Sequence, residues 1–242
     1  MLMCLAFFAG LIRGYSGFGF AMLLALGLMT EFPPVQAIPA ALILDLVSSL
    51  PLWVSTWRMC DRSVCLRLIA GMLMAMPLGV AMLAYTPGAW LTPIVGAVCL
   101  LGGLSVVMAG PAPRGAVAPG QWAGTAGMIS GLAMTLASAG GPPLMLYLLR
   151  TGLDAMVVRA VAVLFFAAAS MASLIGYWWV DALGLTHLKL SASLLLPALL
   201  GGIVGQCVQR RTNPMLARPL VGGVLILMSC AVIAKSMAAL FL

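Results

Sequence analysis

Two short clusters of helix-breaking residues carry the groups of this chain that could bind a solute. The first is the run 14–19, Gly-Tyr-Ser-Gly-Phe-Gly, and the second is the run 140–143, Gly-Gly-Pro-Pro. Glycine and proline interrupt helices, and a helix that restarts after the break points its positive dipole end and unpaired N–H groups at the break. Prolines fit the first positions of such a helix, where a missing N–H costs nothing. Both clusters therefore favour an anion.

Ser16, Thr135 and Ser138 could add hydroxyl donors at the breaks. The candidate substrate-binding residues are Arg13, Tyr15, Ser16, Gly17, Gly19, Thr135, Ser138, Gly140, Gly141, Pro142 and Pro143. The alternative interpretation is close packing of helices by small residues, which is common in membrane bundles. We favour packing for Ser130 and for the scattered glycines, and function for the two clusters.

Two ionisable residues, Arg13 and Asp45, lie inside apolar stretches. A charge at the centre of a bilayer costs about 3 kcal/mol, so each needs a partner or an aqueous cavity. Arg13 could contact an anion or extend toward an interface. Asp45 is followed by Ser48 and Ser49 one turn along, and it could carry a proton in a coupled transport cycle or form a structural ion pair with Arg13.

The elements that position these residues are membrane-spanning helices. Of 242 residues, 64% are hydrophobic and 7% are charged, and the mean hydropathy is +1.17, which excludes a soluble globular domain. About 20 apolar residues span a bilayer. Eight segments qualify: 1–30, 35–57, 64–85, 89–109, 120–150, 155–180, 188–208 and 215–241. The chain is predicted to be an all-α integral membrane protein forming one transport domain, 1–242.

The sequence does not show the residue patterns that other functional classes would need. The net charge of +7 is scattered over segment ends, which indicates topology rather than nucleic-acid binding. Six cysteines without a CxxC motif and a single histidine predict no metal site and no cofactor. An intramembrane enzyme would need a nucleophile with a base, and none is evident. We predict no enzyme activity; a membrane scaffold or assembly subunit remains the second alternative.

An internal duplication is visible when the chain is aligned with itself. Residues 91–107 and 217–233 are identical at six of seventeen positions, and Ser16 and Gly19 align with Ser138 and Gly141. This predicts two repeats of four segments, about 1–110 and 120–242. The first and fifth segments carry the breaks.

The basic residues indicate how the segments cross. With eight full crossings, six basic residues lie on one side and five on the other. If segments one and five are instead re-entrant hairpins of two half-helices, the distribution is nine against two, with only Lys189 and Lys235 outside. Hairpins also make the repeats inverted, a plan that secondary transporters use around a midplane site. We therefore favour hairpins.

Two stretches carry a resemblance to a known family: 13–20, Arg-Gly-Tyr-Ser-Gly-Phe-Gly-Phe, and 138–149, which includes Gly-Gly-Pro-Pro-Leu-Met-Leu-Tyr-Leu-Leu. They resemble the sulfite exporter TauE/SafE family, and the order of segments extends the likeness over nearly the whole chain. The resemblance implies a permease for sulfite, sulfonates or related anions in a bacterial-type inner membrane. The expected partners are the lipid bilayer, a small anionic substrate and another copy of the chain in a homo-oligomer.

Overall fold

The structure is a computed structural model of the chain. It describes residues 1–16, 18–108, 117–209 and 217–241, except for the side chains at 16, 50–55, 209, 217–221 and 239–241. The predicted site residue Gly17 and the side chain of Ser16 therefore lie outside the described part.

Ten helices make up the described chain, two more than the eight predicted segments because each of the two predicted breaks divides a segment. They are α1 Leu2–Ser16, α2 Phe20–Leu28, α3 Pro34–Trp57, α4 Arg62–Tyr85, α5 Gly88–Met108, α6 Ala123–Ala137, α7 Gly141–Arg150, α8 Ala155–Trp179, α9 Leu185–Gln209 and α10 Ala217–Phe241. Helix α9 begins at Leu185, three residues before the predicted segment 188–208, and His187 lies in its first turn.

The long helices confirm an all-α membrane protein. Among the described residues, α4, α5, α8 and most of α9 are long and apolar enough to cross a bilayer. Large apolar side chains such as Leu66, Met74 and Leu101 are exposed on their outer surfaces, as expected for contact with lipid. Tryptophans at helix ends, including Trp57, Trp90 and Trp179, are exposed too, where an interfacial belt would place them.

The fifth segment is a hairpin. The N–H of Val117, before α6, donates to the carbonyl of Arg150 at the end of α7 over 3.2 Å. The N–H of Gly120 donates to the hydroxyl of Tyr147 over 3.2 Å. A straight helical path between residues 117 and 150 would be about 50 Å long. Both ends of the segment therefore lie on one side of the protein, which excludes a full crossing.

The first segment folds back in the same way. A Cβ atom built on Gly27 in α2 would fall inside the side chain of Leu5 in α1. At 1.5 Å per residue, a continuous helix would hold these residues about 33 Å apart. The hairpin prediction is thus confirmed for both interrupted segments.

Contacts between connections agree with this topology. The ammonium of Lys235 donates to the carbonyl of Thr30 over 2.6 Å, and the His187 Nε2 lies 3.2 Å from the carbonyl of Val35. The hairpin arrangement puts all four residues at the same membrane face. The opposite face carries the arginine-rich connections, and the positive-inside rule predicts that this arginine-rich face is cytoplasmic.

Glycines hold each hairpin against a long helix of the other half. A Cβ atom on Gly10 or Gly14 of α1 would collide with the backbone of Ala198 or Gly202 in α9. The same holds between Gly71 of α4 and the backbone of Gly124 in α6. Such close backbone approach is how small residues join membrane helices. It confirms the packing interpretation for the scattered glycines Gly10 and Gly71, and Gly14 of the first cluster packs in the same way.

The helix pairings exchange between the two halves of the chain. Helix α1 packs on α9 as α6 packs on α4, and α3 contacts α9 as α8 contacts α4. The remaining large interfaces join equivalent helices, α5 with α10 and α3 with α8. A pseudo-twofold pattern of this kind is what inverted repeats would produce. The division into repeats at about 1–110 and 120–242 stays a prediction.

Cysteine labelling tests the topology. In a variant without its native cysteines, we expect Ala118→Cys and Asp154→Cys to react with a membrane-impermeant thiol reagent from the same side, and Glu31→Cys from the other, because all three positions are exposed and the fifth segment is a hairpin. If Asp154→Cys and Glu31→Cys reacted from the same side, the chain would have to cross the membrane eight times, which would contradict the fold.

Candidate functional site

The tips of the two hairpins meet in the interior of the bundle. Helix α2 starts after Gly19, which has φ 88°, and α7 starts three residues after Ser138, which has φ 54°. A Cβ atom built on Gly141 would lie 3.4 Å from Cδ2 of Phe18 and 3.8 Å from the backbone N of Gly19. Both half-helices therefore begin at the same place, with their N-termini facing each other.

The two N-termini differ in the donors they offer. The first N–H groups of a helix have no acceptor within it. In α2 these belong to Phe20, Ala21 and Met22, since the first bond to Gly19 is made by Leu23. In α7 the second and third positions are prolines, so Gly141 alone supplies an N–H among the first three. The sequence suggested that both breaks donate alike, but α2 provides most of the backbone donors.

A cavity of about 20 Å³ lies between the tips. Its lining comes from both hairpins and from α3 and α8: Arg13, Phe18, Gly19, Phe20, Ala21, Met22, Asp45, Met134, Ser138, Gly141, Pro142 and Phe166. A volume of this size holds about one water molecule. An oxyanion of four or more heavy atoms does not fit in this volume.

An ion pair with four polar contacts forms one wall. Nη1 of Arg13 donates to Oδ1 of Asp45 over 2.5 Å and to Oγ of Ser48 over 2.8 Å. Nη2 donates to Oγ of Ser49 over 2.5 Å, and Oγ of Ser170 donates to Oδ2 of Asp45 over 2.9 Å. The side chains of Arg13 and Asp45 are only 13% and 6% exposed. Because the pair is buried, removing either member leaves an uncompensated charge.

The ion pair lies at the middle of the bundle. Asp45 is the twelfth of the 24 residues of α3, so it is about 17 Å from either helix end. The guanidinium of Arg13 also lies over the ring of Phe20, with its Cζ 5.4 Å from the ring centroid. Snorkelling of Arg13 to an interface is thus wrong, because the guanidinium is held at the tip of its hairpin.

Among the described polar side chains that line the cavity, that of Ser138 has no hydrogen-bond partner. It is 2% exposed, and its Oγ makes no hydrogen bond with the described residues. A buried hydroxyl left unpaired costs about 1–3 kcal/mol. Ser130 in α6 has an unpaired hydroxyl as well, but it does not line the cavity. The Ser138 hydroxyl is thus a buried donor in the cavity wall without a partner among the described residues.

Thr135 makes its contacts elsewhere. Its Oγ1 donates to the carbonyl of Gly131 and lies 2.9 Å from Oγ of Ser173, and its own carbonyl accepts from the hydroxyl of Tyr177. The Thr135 side chain is outside the cavity lining. This polar cluster joins α6 to α8.

The structure brings only some of the predicted site residues together. Arg13, Gly19, Ser138, Gly141, Pro142 and Asp45 line the cavity, whereas Tyr15, Thr135, Gly140 and Pro143 are absent from its described lining. The sequence analysis missed Met134 and Phe166, which are ordinary apolar residues, and Ser170, which only its hydrogen bond to Asp45 reveals. Ser48 and Ser49 were visible as neighbours of Asp45 on one helix face.

The fold defines a class. A bundle in which two opposed re-entrant hairpins meet around a buried polar cavity, with lipid-facing helices outside, is a multi-pass membrane protein built on the plan of secondary transporters.

A model of the sulfite exporter TauE/SafE family matches residues 2–232, and the chain belongs to this family. It is therefore a membrane transporter of the anion-exporter type. No curated protein and no solved structure matches the chain.

Variants of the Arg13–Asp45 pair should separate its effect on protein stability from its effect on transport. Asp45→Ala should lower the free energy of unfolding by about 3–5 kcal/mol, because it leaves Arg13 buried without a counter-charge. The double variant Arg13→Met with Asp45→Leu should recover most of this loss yet remain inactive in anion flux, since the guanidinium is gone. Thermal or denaturant unfolding in detergent and flux in proteoliposomes measure the two effects. Normal anion flux in the double variant would show that Arg13 is not part of the transport site.

Proposed function

We propose that the protein moves small oxyanions, such as sulfite and organic sulfonates, across a bacterial-type inner membrane by alternating access at the cavity between the hairpin tips. One observation carries the proposal. Two half-helix N-termini, a buried arginine and an unpaired serine hydroxyl converge on one small cavity in the middle of the bundle. Each of these groups donates hydrogen bonds or carries positive charge, so together they complement an anion.

Binding would use donors from both hairpins. The N–H groups at the start of α2 and the hydroxyl of Ser138 can each donate to a different oxygen of a sulfite or sulfonate group. Arg13 now gives its hydrogen bonds to Asp45 and two serines, so an anion must compete with them for the guanidinium. Binding of the anion is then coupled to a weakening of the Arg13–Asp45 pair.

The hairpin geometry supports alternating access. The first hairpin enters from the face that carries Thr30 and Lys235, and the second enters from the face that carries Val117 and Arg150. Withdrawing one hairpin tip would open the cavity to one side while the other tip still closes it. Rocking of one repeat against the other is the recurring motion of transporters with inverted repeats.

Serine variants test the anion contact with a matched control. Ser138→Ala should raise the KM for the transported anion about tenfold, as expected for a lost hydrogen bond to a charged group, without lowering protein stability. Ser130→Ala removes an equally buried, unpaired hydroxyl from the same hairpin and should leave the KM unchanged. Initial rates in proteoliposomes over a range of sulfite concentrations give both values. Equal effects of the two variants would contradict a role for Ser138 in binding.

Graded substitution at Gly141 tests the location of the site. Its Cβ position has ordinary van der Waals distances to Phe18, so Gly141→Ala should fold and retain part of its flux. Gly141→Leu should fill the cavity and abolish flux of sulfite, methanesulfonate and sulfoacetate while the protein stays in the membrane. Radiolabelled or fluorimetric flux in proteoliposomes, with a monovalent cation as the negative control, measures this. Normal flux of all three anions in Gly141→Leu would place the site elsewhere, and no flux in the unaltered protein would refute the transport of these substrates.

A further inference from the structure

A cavity of about 310 Å³ lies between the start of α3 and the first turns of α9, at the membrane face opposite the arginine-rich connections. We call it the Lys189 cavity, and its lining is Phe32, Gln36, Thr186, His187, Lys189, Leu190 and Ser193. The volume lies within the range of small-molecule sites, about 300–1,000 Å³. The cavity shares no lining residue with the one between the hairpin tips, so it is a separate space.

Three side chains of the Lys189 cavity have hydrogen-bond donors without a partner. The ammonium of Lys189, the amide of Gln36 and the hydroxyl of Thr186 make no hydrogen bond or ion pair with the described residues. Gln36 lies in the first turn of α3 and the other two lie in the first two turns of α9, whose N-terminal end adds the positive end of its helix dipole. An anion with several oxygens offers acceptors to all three donors.

His187 joins the two helices of this cavity through backbone groups. The N–H of Gly184 donates to Nδ1 over 2.9 Å, so the ring proton lies on Nε2, which is 3.2 Å from the carbonyl of Val35. One turn further along α9, Oγ of Ser191 donates to the carbonyl of Ala40 over 3.1 Å. These bonds fix the two walls of the cavity relative to each other.

The Lys189 cavity carries positive charge, whereas its neighbour carries none in total. Among the described lining residues, Lys189 is the one with a charge that has no counter-charge in the same cavity. A cavity of about 510 Å³ shares Phe32 with it and contains both Glu31 and Lys235, and the ammonium of Lys235 already donates to the carbonyl of Thr30. The charges of this Lys235 cavity therefore cancel. A cleft with one sign of charge concentrates ligands of the opposite sign.

We propose that the Lys189 cavity is a second anion-binding site, which holds a small organic sulfonate at the face opposite the arginine-rich connections. Lys189, about 6 Å from the start of α9, pairs with the negative charge, and Gln36 and Thr186 donate to the oxygens. Phe32 and Leu190 contact the alkyl part, so the site favours an organic sulfonate over sulfite, which has no alkyl part. This inference deepens the proposed function and rests on it for the identity of the anion.

Charged thiol reagents test the charge of the Lys189 cavity without any transport measurement. In a variant without native cysteines, Ser193→Cys places a thiol one helical turn from Lys189, and Ser236→Cys places a reference thiol in the Lys235 cavity. The probes are methanethiosulfonates of similar size, an anionic ethylsulfonate and a cationic ethyltrimethylammonium, applied to protein in an uncharged maltoside detergent. The anion-to-cation rate ratio should be higher at Ser193→Cys than at Ser236→Cys.

Removing the charge of Lys189 should remove this preference. Lys189→Gln should lower the anion-to-cation rate ratio at Ser193→Cys about tenfold, and Lys189→Arg should retain it. Lys235→Gln removes the same charge from the same face and keeps a donor for the carbonyl of Thr30, so it should leave the ratio unchanged. Equal effects of the two glutamine variants, or no reaction of Ser193→Cys with either reagent, would overturn the proposal.

Sodium methanesulfonate tests binding directly. Compared with sodium chloride at equal ionic strength, it should slow the reaction of Ser193→Cys with the uncharged reagent methyl methanethiosulfonate several-fold and leave Ser236→Cys unaffected. Gln36→Leu should weaken this protection without changing the charge ratio, because it removes a donor but no charge. Propanesulfonate should protect at lower concentrations than methanesulfonate, because its alkyl part is longer. Protection by a short-chain phosphatidylglycerol but not by methanesulfonate would identify a phospholipid phosphate as the ligand and overturn the proposal.

Flux separates this inference from the proposed function. If methanesulfonate protects Ser193→Cys as expected but the unaltered protein transports no sulfur anion in proteoliposomes, the Lys189 cavity stands as a binding site and the proposed transport fails. If sulfonates are transported but Lys189→Gln changes neither the reagent ratio nor the protection, the proposed function stands and this inference fails alone.

Discussion

The buried Arg13–Asp45 pair fixes the position of the first hairpin tip, and the rest of the site depends on it. A guanidinium at the middle of a bilayer is tolerated only with a counter-charge and hydrogen-bond acceptors, and Asp45, Ser48 and Ser49 supply them from one face of α3. Since the contacts use two different nitrogens of Arg13, they determine orientation as well as distance. The start of α2 and its N–H groups are thereby held toward the opposing hairpin.

The second half of the chain uses neutral groups at the corresponding places. Thr135 lies three residues before Ser138 as Arg13 lies three before Ser16, and it bonds to Ser173 of α8 as Arg13 bonds to Ser48 of α3. The two sets are joined where Ser170 donates to Asp45. The repeated geometry therefore carries charge in one half only. In the proposed function, this asymmetry would let one hairpin bind an anion directly while the other positions Ser138.

Much of this architecture follows from the sequence because its causes are local. Apolar length specifies the spans, glycine and proline clusters specify the breaks, and the cost of isolated charges in lipid requires a partner for Arg13. The functions of Thr135 and Tyr15 could not be assigned, because which side of a short helix faces a cavity depends on how the hairpin is rotated against α4 or α9. A cavity of about 340 Å³ that Arg159 lines together with Arg13 could not be predicted for a related reason. Arg159 looks like any basic residue at a segment end, and only the packing of five helices makes it part of a cavity.

The two helix breaks leave hydrogen-bond donors at a place where the structure has little room. Breaks in membrane helices leave backbone N–H groups that lipid cannot satisfy, so they persist only where protein or solute pairs with them. In this structure the room at the breaks is enough for about one water molecule, and Arg13 is occupied by Asp45. Arg13 also lies beside the first N–H groups of α2, because its guanidinium stacks over the ring of Phe20. In the proposed function an anion would therefore have to compete with Asp45 for Arg13, so that opening of the cavity would be coupled to the presence of an anion.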